Sequence, residues 1–223
     1  QYYFTVSSSY DSPTPAGGWF DAGVSITASV TSPTPGSAGT QYVCTGWSGT
    51  GSVPASGSVS SVAFVISQPS SITWNWKTQY YLTVSSAYDS PNPVSSWFDS
   101  GSSITASVTT PTSGPAGKQY VCTGWTGTGS VPASGSTSAV TFTIGAPSSI
   151  TWAWKTQYQV TFDQTGVGSD FVGTVVTVDG VNYARSGLPV SFWYDSGSSH
   201  TFAFQSPLVV TVNSKQYVWT GTT

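Results

Sequence analysis

The stretch Ser71-Ile-Thr-Trp-Asn-Trp-Lys-Thr-Gln-Tyr-Tyr-Leu-Thr-Val84 returns as Ser149-Ile-Thr-Trp-Ala-Trp-Lys-Thr-Gln-Tyr-Gln-Val-Thr-Phe162. Apolar side chains fall at every second position on both sides of the central Lys-Thr-Gln, which is the period of a half-buried strand. Working outward, all of residues 1–78 recurs as residues 79–156 without a gap, and the two copies differ at only 20 positions. A period of that size marks tandem units rather than an enzyme built around one unique cleft.

Each copy carries the same set of strand patterns. In the first they are Tyr2/Phe4/Val6, Val24/Ile26/Ala28/Val30, Tyr42 to Trp47 ending on Gly46, Val62/Phe64/Ile66 and Ile72/Trp74/Trp76. Turns such as Ser12-Pro-Thr-Pro15 separate them, and no segment keeps a 3.6-residue period. About five antiparallel strands per copy are expected, with essentially no helix. The fold class is therefore all-β, as tandem small β-sandwich modules (Ig-like, B-repeat-like) in an elongated array. The boundaries fall at 1–78, 79–156 and 157–223. The short Lys77-Thr78-Gln79 and Lys155-Thr156-Gln157 links predict a semi-rigid rod.

The third copy diverges. It opens with Tyr158, Val160 and Phe162, then inserts a hairpin, Thr174–Val178 and Val181–Tyr183, around Asp179-Gly180, a type I′ turn signal. The frame returns at Trp193-Tyr-Asp195 and runs to Gln216-Tyr-Val-Trp-Thr-Gly221, matching Gln119–Gly124. Equivalents of the last two strands do not follow. Either a neighbouring subunit donates a strand to the open edge, or the chain is a fragment whose missing strands lie further on. For donation the expected source is the chain start, where Tyr2, Phe4 and Val6 alternate, with Tyr217 and Trp219 at the acceptor end. Such a donor would have to leave its own first module.

Composition narrows the function. Only 6% of residues are charged, all eight acids are Asp, and the net charge is −3. That is no electrostatic footprint for nucleic acid and no basic membrane patch. No apolar run approaches the roughly 20 residues that span a bilayer, so membrane insertion is not expected. There is no Met, so Gln1 is expected to follow a removed leader or a truncation point. Composition and repeat type make secretion the expected destination. With so few carboxylates, folding is expected to depend little on pH.

These landmarks resemble the divergent internalin-type B-repeat, also called the bacterial repeat domain. The family's opening strand stands here as Tyr81-Leu-Thr-Val84, its aromatic turn as Trp97-Phe-Asp-Ser-Gly-Ser102 and its T-x-x-A strand as Ile104-Thr-Ala106. Its G-W core motif stands as Cys122-Thr-Gly-Trp-Thr-Gly127 and its terminal strand as Ile150-Thr-Trp-Ala-Trp154. Similar modules, including the longer divergent copy, look like those in large surface proteins of thermophilic archaea. The resemblance implies extracellular stalk, adhesin or filament modules without enzymatic activity. Cys44 and Cys122 depart from the family's usual aromatic.

No residue set suggests catalysis, a metal or a cofactor. The one His, His200, falls where the second copy has Ile104, as a partly buried structural residue would. Asp21, Asp99 and Asp195 sit singly in Trp-Phe/Tyr-Asp turns, where Asp caps its own backbone; the rival reading as a calcium ligand needs clustered oxygens. An isopeptide bond at Lys77 and Lys155 is not expected, because it needs a catalytic acid beside a Lys–Asn pair and Asn75 becomes Ala153 in the second copy. Cys44 and Cys122 are equivalent to Trp219, so a buried free thiol is expected, with an intermolecular disulfide as the rival. Trp47, Trp74, Trp76, Trp125, Trp152 and Trp154 are expected in the repeat core. The function expected is a self-associating structural protein of a cell-surface filament or stalk. A carbohydrate-binding or adhesin array, with surface glycans as partner, is the alternative; exposed, coplanar Trp19, Trp97 and Trp193 would favour it.

Overall fold

The computed structural model describes residues 1–212 and 214–221; Asn213, Thr222 and Thr223, all within the third module, lie outside the described residues. The first copy holds β1 (Tyr2–Ser7), β2 (Gly18–Phe20), β3 (Ser25–Ser29), β4 (Thr34–Pro35), β5 (Thr40–Thr50), β6 (Ser56–Gly57) and β7 (Ser61–Val65). β8 (Ser70–Ser85) closes the first copy and opens the second. The second continues through β9 (Ser96–Asp99), β10 (Ser103–Ser107), β11 (Thr112–Ser113), β12 (Lys118–Thr128), β13 (Ser134–Gly135) and β14 (Ala139–Thr143). β15 (Ser148–Phe162) leads into the third, with β16 (Thr174–Val178), β17 (Val181–Ala184), β18 (Val190–Asp195), β19 (Phe202–Phe204), β20 (Leu208–Val210) and β21 (Lys215–Tyr217). A 3₁₀ turn at Arg185–Gly187 is the one helical element among the described residues, and no helix there is long and apolar enough to cross a membrane.

The chain is all-β, and its main sheet is a curled half-barrel. Its contacts form two compact units, residues 1–109 with 123–153, and residues 110–122 with 154–223. The first unit thus gathers most of both intact copies. β8 explains why: its two halves belong to different copies.

The expected strands form, and β2 and β9 join them. Both come from the Trp-Phe segments read as turns, and they pair antiparallel with β1 and with the second half of β8. The pairing directions were not all as expected. The opening and closing strands of a copy run parallel, with Phe4 opposite Ser70 and Val6 opposite Ile72. The second copy repeats this with Leu82 opposite Ser148 and Val84 opposite Ile150. On its other edge the closing strand pairs antiparallel with β5, Cys44 opposite Trp76 and Trp47 opposite Trp74. Each closing strand is therefore inserted between the opening strand and the Tyr42-type strand of its own copy.

The core follows from that insertion. Phe4, Ile26, Phe64, Trp47, Ile72 and Trp74 lie in one buried cluster that draws on the β3–β7 pair as well as on the larger sheet. Complete burial of an Ile or Phe stabilises by about 1.5–3 kcal/mol, and Phe4, Ile72, Leu82 and Ile150 are all fully buried. Trp47 and Trp74 meet edge to face at 5.8 Å, and Trp125 and Trp152 repeat the pair at 5.8 Å.

β5 does not end on Gly46 but bulges there, the register slipping between Cys44 and Gly46. The slip lets Trp47 face the core on the side already used by Cys44. Gly46 has φ +124°, and a Cβ there would collide with the carbonyl of Gly57. Gly46→Ala should therefore destabilise the first copy by about 2 kcal/mol or more, read as a lowered denaturant midpoint. Gly23→Ala, at φ +85° with open space around it, should cost only about 1–2 kcal/mol. Equal, small losses at the two positions would show that the bulge is not under steric constraint.

Candidate strand-acceptor site

The second half of β15 opens the third copy with the register of its predecessors. Tyr158 stands opposite Tyr194 and Gln159 opposite Trp193, as Tyr80 stands opposite Phe98 and Tyr81 opposite Trp97. The inserted hairpin forms as the Asp179-Gly180 signal predicts, with Asp179 at φ +48° and Gly180 at φ +80°. β16 pairs with β17 and β19 to form a three-stranded sheet, and β20 pairs with β21.

What differs is the closing position. The opening-strand residue that is 0% exposed in the intact copies, Phe4 or Leu82, is Val160 in the third, where it is 39% exposed. Sheet partners of β15 are β8, β12 and β18, and among the described residues none runs parallel to residues 160–163. In place of a closing strand there is a cleft of about 600 Å³. Residues 161–163 line it, the counterpart of β1, and so do residues 217–221, the counterpart of Tyr42–Gly46. Val175, Phe202, Phe204 and Leu208 add apolar surface. The two segments that would flank a closing strand thus both border the cleft.

Tyr217 and Trp219 belong to this site. Tyr217 donates its hydroxyl proton to Asp170, and Lys215 Nζ reaches Asp170 Oδ2 at 3.0 Å. Trp219 lies 54% exposed, and its backbone N–H donates to Ser206 Oγ at 3.0 Å. The equivalent Cys44 and Cys122 are half-buried and in the reduced form, Cys44 against the core, so the position is not the fully interior one expected. Trp76 and Trp154 are likewise half-buried, while Trp47, Trp74, Trp125 and Trp152 are buried. Tyr2, Phe4 and Val6 are not free to be donated: β1 is hydrogen-bonded on both edges and packs into the core of its own copy.

The side chains of Asp99 and Asp195 bond across strands, where turn capping was expected. Asp99 accepts from Gln79 Nε2 at 2.7 Å and Lys77 Nζ at 2.9 Å, and Gln79 in turn accepts from Gln41 at 2.8 Å. Asp195 repeats this with Gln157 at 2.8 Å and Lys155 at 2.8 Å, and Gln119 reaches Gln157 at 2.7 Å. Sequence reading missed these clasps because their partners lie on neighbouring strands. Among the described residues no three His, Cys, Asp or Glu side chains gather to hold a metal ion.

His200 is not in a site like that of the buried Ile104. Its Nδ1 lies 2.8 Å from Asp179 Oδ2, its Nε2 lies 2.8 Å from Ser198 Oγ, and Tyr194 stacks on the ring at 3.6 Å. The connectivity is that of a Ser-His-Asp triad. Ser198 Oγ, however, donates its proton to the Asp195 carbonyl at 2.7 Å, and none of these residues lines the cleft. The cluster ties the hairpin turn to the Asp195–Thr201 loop.

The chain matches no protein-family model, no curated protein and no solved structure.

Four carboxyls are held below the ordinary Asp value of 3.8, against the expectation of little pairing: Asp99 by Gln79 and then Lys77, and Asp195 by Lys155 and then Gln157. Asp179 is held down by the Thr201 N–H and then His200, and Asp170 by Tyr217 and then Lys215. A depressed folded-state pKa contributes stability that is present above the unfolded value and is lost as pH falls through the folded one. Thermal stability should therefore hold from pH 7 to about 4 and decline modestly below it, since exposed pairs are weak. Asp99→Asn should reduce that acid-side slope. An unchanged slope in the variant would show that the clasp carries no linkage.

Proposed function

We propose that this chain is a non-enzymatic extracellular structural protein, a subunit or segment of a cell-surface filament or stalk. Its tandem β-sandwich modules form an elongated array, and it associates with copies of itself by strand complementation at the third copy. The observation that carries the reading is Val160. An apolar position fully covered in two copies of one unit is open in the third, beside a cleft of closing-strand position. An open edge of this kind recruits a strand from outside. The likeness to B-repeat modules of archaeal surface proteins agrees with an extracellular setting.

A carbohydrate-binding or adhesive array is the second reading, favoured by Trp19, which is 66% exposed. Its ring stands edge-on to Tyr3 at 5.2 Å, and Trp97 repeats the contact with Tyr81 at 5.1 Å. That cross-strand packing gives both indoles a structural role in their hairpins.

Electron microscopy and light scattering of the purified chain test the assembly. Filaments or concentration-dependent oligomers are expected, with the amides of residues 160–163 protected from hydrogen exchange. A monomer at high concentration, with those amides exchanging freely, would overturn self-association. Saturable oligosaccharide binding lost in Trp19→Ala would replace it with the second reading.

A further inference from the structure

We propose that Tyr10 and Tyr42 are an oxidative cross-linking site. A haem peroxidase supplied with hydrogen peroxide joins their rings as dityrosine, and the new bond staples the loop after β1 to β5. The site lies wholly within the first copy and is independent of strand complementation at the third.

The two rings stack face to face, with centroids 3.6 Å apart and planes inclined by 8°. Aromatic pairs ordinarily stack offset or meet edge-on, with centroids about 4.5–7 Å apart. Trp47 with Trp74 at 5.8 Å and Tyr3 with Trp19 at 5.2 Å follow that preference. The tyrosines are closer because each is held from its own side. Around Tyr10, the Asp11 carboxylate accepts the Thr31 N–H at 2.7 Å, and Ser8 Oγ accepts from Trp76 Nε1 at 3.2 Å. The Trp76 ring also meets Tyr10 edge-on at 6.0 Å. Tyr42 sits in β5 between two partners, opposite Thr34 of β4 and Thr78 of β8. Its ring keeps its place because Gly36 has no side chain: a Cβ there would lie 2.9 Å from Tyr42 Cε2, a carbon next to the one that bears the hydroxyl.

The chemistry needs only what this contact supplies and the oxidant. Tyr10 is 46% exposed, so an electron can leave it to the peroxidase while water takes the phenol proton. Tyr42, in ring contact, gives up its own electron and proton in a second one-electron step. Each phenoxyl radical shares its unpaired electron between the oxygen and the Cε carbons. A bond forms between one Cε of each ring, and the hydrogen on each bonded carbon moves to its ring oxygen, restoring both phenols. Hydrogen peroxide accepts the two electrons and two protons and leaves as two waters. Rings already held together avoid the encounter that separate tyrosines would need. The bond closes a loop from residue 10 to residue 42 and restricts the unfolded chain as a disulfide does.

The test treats the full chain, kept dilute, with a haem peroxidase and limiting hydrogen peroxide. Dityrosine fluorescence should appear in a single chain lighter by two hydrogens. Tyr88 and Tyr120 hold the same places in the second copy, so the link is assigned by peptide mapping with fragmentation. The Tyr10–Tyr42 link should form at least about tenfold more than any other tyrosine pair of the first copy. The linked chain should melt on the order of 5–10 °C higher. Tyr10→Phe keeps a ring to stack but no phenol; it should melt as the parent does and form no link at Tyr42. Tyr3→Phe removes a tyrosine of similar exposure, 44%, that packs on Trp19 instead; it should leave the Tyr10–Tyr42 yield unchanged. The proposal is overturned if no dityrosine forms, if links join only separate chains, or if they spread evenly over the exposed tyrosines. A Tyr42 link that persists in Tyr10→Phe would overturn it too, and a linked chain that melts no higher would overturn the staple.

Discussion

A β-strand with two partners must satisfy hydrogen bonds on both edges and bury its alternate side chains on one face. Ser70–Ser85 does this twice in succession. Its first half lies between β1 and β5, and its second half pairs with β9 and β15. The remaining pieces of a copy depend on that arrangement. The opening strand is covered because the closing strand runs beside it, and Trp47 finds Trp74 because the closing strand also runs beside β5. Removing the closing strand uncovers two edges and one face together. The third copy, with Val160 open and a cleft between the counterparts of β1 and β5, has the features that such a removal produces.

Much of this was legible in the chain. Period-two alternation located the principal strands, and Asp179-Gly180 announced its hairpin because few residues tolerate consecutive positive φ angles. Spacing placed Trp74 with Trp76, and Trp152 with Trp154, on one face alike, yet only the first of each pair is buried. Pairing direction was not legible. Alternation is the same in parallel and antiparallel strands, so nothing local distinguishes β1 beside β8 from a hairpin partner. The bulge was hidden too, since Gly46 in a Cys-Thr-Gly-Trp run can equally end a strand.

The polar contacts were the least legible because they join residues far apart in sequence. Asp99 looked like a turn cap, yet its oxygens are taken by Lys77 and Gln79 of the neighbouring strand. His200 looked like a counterpart of Ile104, but the inserted hairpin brings Asp179 to it from 21 positions away. Turn chemistry is readable from local sequence. Which carboxylate meets which donor across a sheet depends on register, and register emerges only when the core is assembled. The same limit applied to the acceptor cleft, whose lining comes from both ends of the third copy.

The continuous strand also imposes a rule on how such a chain can change. Ile72, Trp74, Leu82 and Val84 are all even-numbered residues of β8, so the two cores it serves are in phase along one backbone. A single residue gained or lost at Lys77-Thr78-Gln79 would turn the inward set of the following copy outward. Gain or loss of residues in pairs preserves the phase, and duplication of the entire unit preserves register as well. Lineages built on this strand are therefore expected to grow or shrink by whole copies, with length variation confined to turns, as in the hairpin inserted between Phe162 and Val190.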